Sequence, residues 1–173
     1  MHKLNDQAQV TSIIFTITIM VTITYVGETI MASVLDVAAY ILKKQGSMTA
    51  MKLQKLVYYS QAWSLVWDEK PLFSARIEAW ANGPVVPHLY REHQGKFKVQ
   101  PGDISGNAGT IHGKEQQTID AVLKHYGNKQ SQWLSDLTHQ EEPWKSARKD
   151  TAPGKRSSEQ ITNASMAEYY GSL

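Results

Sequence analysis

The sequence predicts a mainly α (α+β), single globular domain of about six helices with a small, short-stranded β element. Three observations carry this expectation. After residue 31, apolar residues recur at i, i+3, i+4 and i+7 in several stretches, the spacing of helices with a buried face. Strand-like alternation in the same part of the chain is clearest at Ile77-Glu-Ala-Trp80. At 173 residues, 42% hydrophobic and 20% charged, the chain fits one soluble domain that can bury a core.

The elements follow in order. Ser33 and Asp36 form a capping-box-like pair that opens a helix with the stripe Val34, Val37, Ala38, Ile41 and Leu42. Lys43 and Lys44 suit its last turn, and Gly46 supplies the stop. Thr49 fits the N-cap of a second, longer helix with the stripe Leu53, Leu56, Val57, Ser60, Trp63, Ser64 and Trp67, ended by Asp68 to Pro71. Trp63 and Trp67, four apart on that stripe, are expected in the core. Asn82-Gly83 signals a turn after the Ile77–Trp80 strand, and Pro84 confines Gly83 further. Pro87 suits position N1 of a third helix that ends at His93, before Gly95. Residues 95–113 read as a loop with a short strand around Lys96–Val99. Thr118, Ile119, Val122, Leu123 and Tyr126 mark a fourth helix, stopped by Gly127. Ser131 is a candidate cap for a fifth, with Trp133, Leu134 and Leu137. Glu141-Glu142-Pro143-Trp144 resembles the acidic first turn of another short helix. Gly154–Ser158 reads as a basic loop, and a last short helix carries Met166, Tyr169 and Tyr170.

Residues 1–30 differ from the rest. No charge falls between residues 7 and 27, and Phe15 to Tyr25 alternates apolar residues with threonine, broken only by Met20. That is a strand period. The run Ile13–Val26 falls short of the ~20 residues of a spanning helix, and no small-x-small cleavage site follows, so no membrane is expected. The expected organisation is an atypical, β-prone extension at 1–30 that is non-native or dispensable, and a self-sufficient domain from Met31 to Leu173. An uncharged, proline-free segment of this kind is an aggregation hazard.

Charge and composition exclude several functions. The chain has no cysteine, hence no disulfide framework, thiolate nucleophile or cysteine zinc site. A net charge of +2 argues against electrostatic nucleic-acid binding by the whole domain. No glycine-rich phosphate loop, nucleophile elbow or pair of catalytic carboxylates appears, so the expectation is no enzyme, no cofactor and no metal. His139 beside Glu141 and Glu142 is the remaining acid–base or metal candidate; His-x-Glu alone is a weak signal, and a role in fixing the link between two helices is favoured.

The most specific pattern runs from Lys52 to Tyr90. It contains Lys52-Leu53-Gln54-Lys55-Leu56, Tyr58-Tyr59, Gln61-x-Trp63, Pro71-Leu72-Phe73, Ile77-x-Ala79-Trp80-x-x-Gly83-Pro84-Val85 and Tyr90. A second pattern follows at Leu134-x-x-Leu137-Thr138-His139-x-Glu141-x-Pro143-Trp144-x-x-Ala147-Arg148. In order and spacing these resemble the SocA-like antitoxin domain, also called the Panacea domain, found in toxin–antitoxin systems and in phage-associated proteins of the GepA type. The resemblance covers about Met31 to the C-terminus; the N-terminal extension departs from it. It implies a bacterial or prophage-borne, cytoplasmic antitoxin that neutralises a cognate protein toxin, usually encoded by an adjacent gene, through direct protein–protein binding.

Within the two patterns, Lys52, Leu53, Lys55, Leu56, Tyr58, Trp63, His139, Pro143 and Trp144 are expected to be structural. The partner-binding candidates are Trp80, Gly83, Pro84, Pro87 and Tyr90. Glycine permits a positive φ or close backbone approach, and the prolines fix the exit direction. Trp80 alternates with Ile77 and Ala79, which favours its exposure, and an exposed tryptophan beside a rigid turn suits a binding hot spot. Lys145, Arg148, Lys149, Lys155 and Arg156 form a basic stretch with two readings, contact with nucleic-acid phosphates or a solvated face, of which the second is the simpler. The alternative function is a DNA-binding transcriptional regulator that uses the first two helices as a helix-turn-helix. Lys52 and Lys55 among aromatics make a poor base-reading set for it.

Overall fold

The first helix, α1 (Val34–Gln45), begins where the sequence places it. The Ser33 hydroxyl accepts the Asp36 N–H, and the Asp36 carboxylate accepts the Ser33 N–H at 3.0 Å, closing a capping box. Gly46 ends the helix at φ +74, a conformation glycine reaches without a Cβ penalty. The computed structural model describes residues 31–173, and the extension assigned to residues 1–30 lies outside them. The described elements continue with β1 (Met48–Thr49), α2 (Ala50–Trp67), β2 (Ile77–Trp80), β3 (Gly83–Val85), α3 (Pro87–His93) and β4 (Lys98–Val99). A short 3₁₀ turn (Ala108–Thr110) precedes α4 (Gly113–Tyr126), α5 (Ser131–Gln140), α6 (Glu142–Ala147), β5 (Gln160–Ile161) and α7 (Asn163–Gly171). The domain is mainly α, with seven helices among the described residues against the expected six or so.

The β content is small and antiparallel. One sheet has the order β3-β2-β5, with Trp80 opposite Gly83, Ala79 opposite Pro84 and Ile77 opposite Ile161. The other pairs β1 with β4, Met48 opposite Val99. Segments distant in sequence are thus joined by strands of only two to four residues. Their stability comes from the helices packed on them rather than from ladder length.

α2 is the central helix, in contact with α1, α3, α4, α5 and α7 as well as β1 and β3. Every residue from Leu53 to Ala62 is buried, which corrects the one-striped reading of this segment. The polar residues on its other sides are satisfied inside the protein, as buried polar groups must be. Thr49 Oγ1 caps α2 by accepting the Lys52 N–H, and Lys52 Nζ donates to Gly127 O at 2.7 Å, tying α2 to the end of α4. Gln61 accepts the N–H groups of Leu72 and Phe73 through Oε1 and donates to Phe73 O through Nε2. Gln54 treats Val86 the same way, accepting its N–H at 2.9 Å and donating to its carbonyl at 3.4 Å. Two side-chain amides therefore stand in for sheet neighbours along non-helical backbone.

Two expectations at helix ends need correction. Trp67 is 49% exposed and stacks on half-buried Trp63, with ring centroids 4.7 Å apart. Burial lapses after Ser64 because α2 outruns the core by its last turn. Ser131 is the first residue of α5 and not its cap; Gln130 holds the N-cap position and makes no side-chain cap bond. The loop after β4 is fixed onto α1: Asp36 Oδ1 accepts the Asn107 N–H at 2.6 Å, and a Cβ on Gly106 would lie 2.0 Å from Leu35 O. No helix among the described residues is long and apolar enough to cross a membrane.

Candidate binding groove

The corner between β2 and α3 is rigid for reasons visible residue by residue. β2 alternates as its sequence demands: Ile77 and Ala79 point inward, Glu78 and Trp80 outward and half-buried. Gly83 turns the chain at φ +100, and a Cβ there would stand 2.7 Å from both Lys55 Cε and Thr138 Oγ1. Pro84 O accepts Lys55 Nζ at 3.0 Å. Pro87 starts α3 at a position that needs no N–H donor. From behind, Ser135 Oγ donates to Asn82 O, Trp144 Nε1 to Trp80 O and Arg148 Nη1 to Ala79 O. The second sequence pattern, on α5 and α6, thus clamps the carbonyls of the first.

In front of this corner lies an open groove of about 760 Å³. Its walls come from four places: Met51, Gln54 and Lys55 of α2; Glu78, Trp80, Asn82 and Val85 of the hairpin; Tyr90, His93, Lys96 and Phe97; and Arg156 to Ser158. The volume is in the range of ligand-binding clefts. Trp80 meets Tyr90 edge-on at 4.9 Å and donates its Nε1–H to Glu78 Oε2 at 2.9 Å. Phe97 is 81% exposed.

Of the partner-binding candidates, Trp80 and Tyr90 line the groove together. Gly83 and Pro84 are buried and supply the corner's shape, and Pro87 sets the direction of α3. Sequence reasoning missed Met51, Phe97 and Arg156, which distant segments deliver to the same groove. Phe97 did carry a signal: it is a lone aromatic between Lys96 and Lys98 in a polar loop.

Lys55 on α2 and Glu141 beside it are both buried ionisable groups. Lys55 is 1% exposed, has no carboxylate partner among the described residues, and burial lowers its pKa to about 7. Glu141 is pushed up to about 7 by burial, against the hydrogen bonds it accepts from Tyr170 at 2.6 Å and Tyr59 at 3.2 Å. His139 and Glu141 do not form an acid–base pair: the Glu141 carboxyl faces those tyrosines, while the His139 ring stacks on Trp144 at 4.1 Å. His139 Nε2 is buried without a hydrogen-bond partner, and desolvation followed by the nearby Lys55 charge holds its pKa below the ordinary histidine value. No group of three or more metal-ligating side chains converges among the described residues. α2, enclosed from Leu53 to Ala62, has no free face to enter a DNA groove as a recognition helix would.

The described residues thus form a mainly α scaffold with an aromatic-walled groove beside a clamped corner. The chain belongs to the antitoxin SocA-like, Panacea domain family, whose model matches residues 53–145, more than half of the 173. That span runs from α2 into α6 and includes the hairpin and α3. No curated protein and no solved structure matches the chain.

Proposed function

We propose that the protein neutralises a cognate protein toxin, encoded by a neighbouring gene, by binding it directly through the Trp80–Tyr90 side of the groove. The observation that carries this reading is the coincidence of membership in an antitoxin family with an open groove whose three aromatic residues, Trp80, Tyr90 and Phe97, lie within the family's matched span. The corner is held by backbone clamps from α5 and α6, so binding costs little ordering. Tryptophan and tyrosine are the residue types that dominate hot spots. In this reading the chain acts by contact, without turnover.

Co-expression with the adjacent open reading frame, followed by pull-down, tests the proposal. The chain should restore growth and co-purify with the toxin. Trp80→Ala and Tyr90→Ala should each weaken the complex by on the order of 2 kcal/mol. A purified chain that turns over a substrate alone, or a toxin that is suppressed without any complex, overturns it.

A further inference from the structure

We propose that the groove receives an acidic segment of the partner protein, with a large apolar side chain laid among Trp80, Tyr90 and Phe97 and a carboxylate beside it facing Arg156. This deepens the antitoxin reading and rests on it for the identity of the partner as a protein.

Charge in the groove is unevenly compensated. Lys55, Lys96 and Arg156 line the groove against one carboxylate, Glu78. Glu78 is already occupied, by Arg76 at 3.3 Å and by the Trp80 indole. Lys96 is paired with Asp103 at 3.1 Å. Arg156 has neither an ion pair nor a side-chain hydrogen bond among the described residues, and it is exposed. Behind it, the Lys55 ammonium donates to one carbonyl and faces no anion. The groove therefore presents one free guanidinium, a group suited to a carboxylate.

The apolar side is as specific. Phe97 stands free in a loop whose neighbours are lysines, and Met51 adds an adaptable thioether to the same wall. A large exposed aromatic beside Trp80 and Tyr90 asks for an apolar anchor rather than a wholly polar strand. A nucleic-acid strand fits less well. Its phosphates need a track of cations, and here two of the three lining cations are paired or buried, while the Glu78 carboxylate stands against the ring on which a base would stack.

The test uses the whole chain and four labelled probes in fluorescence polarisation. Three are acetylated, amidated peptides with the same Leu-Phe centre, flanked by Glu, by Gln or by Lys; the fourth is an oligothymidylate. The Glu-flanked peptide should bind about tenfold tighter than the Gln-flanked one, and the Lys-flanked one more weakly still. Arg156→Glu should abolish or invert that order, and Phe97→Ala should weaken the Glu- and Gln-flanked peptides alike. Both residues are exposed, so thermal melts should be unchanged. The proposal is overturned if flanking charge makes no difference, if no peptide binds, or if the oligothymidylate binds best and Arg156→Glu removes it. If those peptides fail while the Arg156→Glu and Phe97→Ala variants still rescue toxin-expressing cells, the acidic segment is wrong and the antitoxin reading stands. If the unaltered chain does not rescue, the antitoxin reading itself falls.

Discussion

Two groups of aromatic side chains lie along α2, and they follow different rules. Near its middle, Tyr58, Tyr59, Tyr126 and Tyr170 gather by Glu141, with Tyr59 stacked on Tyr126 at 4.3 Å and an interplanar angle of 8°. Every hydroxyl there has a partner: Tyr59 and Tyr170 donate to Glu141, Tyr170 also reaches Tyr58, and Tyr126 accepts the Trp63 indole N–H. At its first turns, Trp80, Tyr90 and Phe97 stand along an open groove. The Trp80 indole is bonded only to Glu78 on its own strand, and Phe97 is largely free. Aromatic content alone does not separate core from contact surface. Closure of the polar ends does: a tyrosine whose hydroxyl is bonded inside the fold is committed to stability, and one whose edge faces a groove is available to a partner.

The largest test of that contrast is Tyr170→Ala against Trp80→Ala. The first opens a cavity and leaves Glu141 buried with one hydroxyl, and should cost about 3–5 kcal/mol in urea denaturation. The second removes a half-buried ring at the surface and should cost about 1 kcal/mol. Equal losses would erase the distinction between the two regions. Next comes Gly83→Ala, which places a methyl group 2.7 Å from Lys55 Cε at φ +100 and should cost about 2–3 kcal/mol in the same assay. It should also deform the groove while leaving the tyrosine cluster intact, a difference visible in the aromatic NMR shifts.

A pH series sharpens the comparison, because buried Glu141 belongs to the tyrosine cluster and buried Lys55 to the groove. Glu141 in the fold titrates at about 7, above its unfolded value of about 4.3, so the folded state binds the extra proton between them. Its contribution is full below the unfolded value and fades as pH climbs to 7. Lys55 titrates at about 7, below its unfolded value of about 10.4, so the folded state binds fewer protons in that window. The cost of burying its ammonium is full below pH 7 and relaxes above it. Stability from urea melts should therefore dip near neutral pH. Glu141→Gln should flatten the acid arm and Lys55→Met the alkaline arm, each by about 1 kcal/mol or more. The smallest effect lies outside both regions. Glu69 follows the end of α2 at φ +55, and Glu69→Gly should raise stability by about 0.5–1 kcal/mol without altering partner binding.

What the sequence disclosed was whatever is decided locally. The Ser33–Asp36 box, the Thr49 cap, the alternation of β2 and the start of α3 at Pro87 all depend on residues within a turn of one another. The burial of Lys55, Gln54 and Gln61 off the apolar stripe was not legible, because their partners, the backbone at 84, 86 and 72–73, are held against α2 only by the tertiary fold. Trp67 fits the apolar stripe by spacing, yet nothing in spacing says where the core ends. The groove was half legible for the same reason: Trp80 and Tyr90 belong to one corner, whereas Met51, Phe97 and Arg156 arrive from elsewhere.

The two glutamines of α2 have a consequence for how the molecule would look to solvent deuterium. The N–H groups of Leu72, Phe73 and Val86 lie outside any helix, in stretches that ordinarily exchange within the dead time of a measurement. Here all three are buried and bonded to a side-chain oxygen anchored on α2. They should form slow-exchanging islands in otherwise fast segments, and open only with the central helix. Gln61→Ala should release the first two and leave the third protected, while Gln54→Ala should do the reverse. An exchange map would thus draw the interior of this protein as α2 together with the irregular backbone it holds.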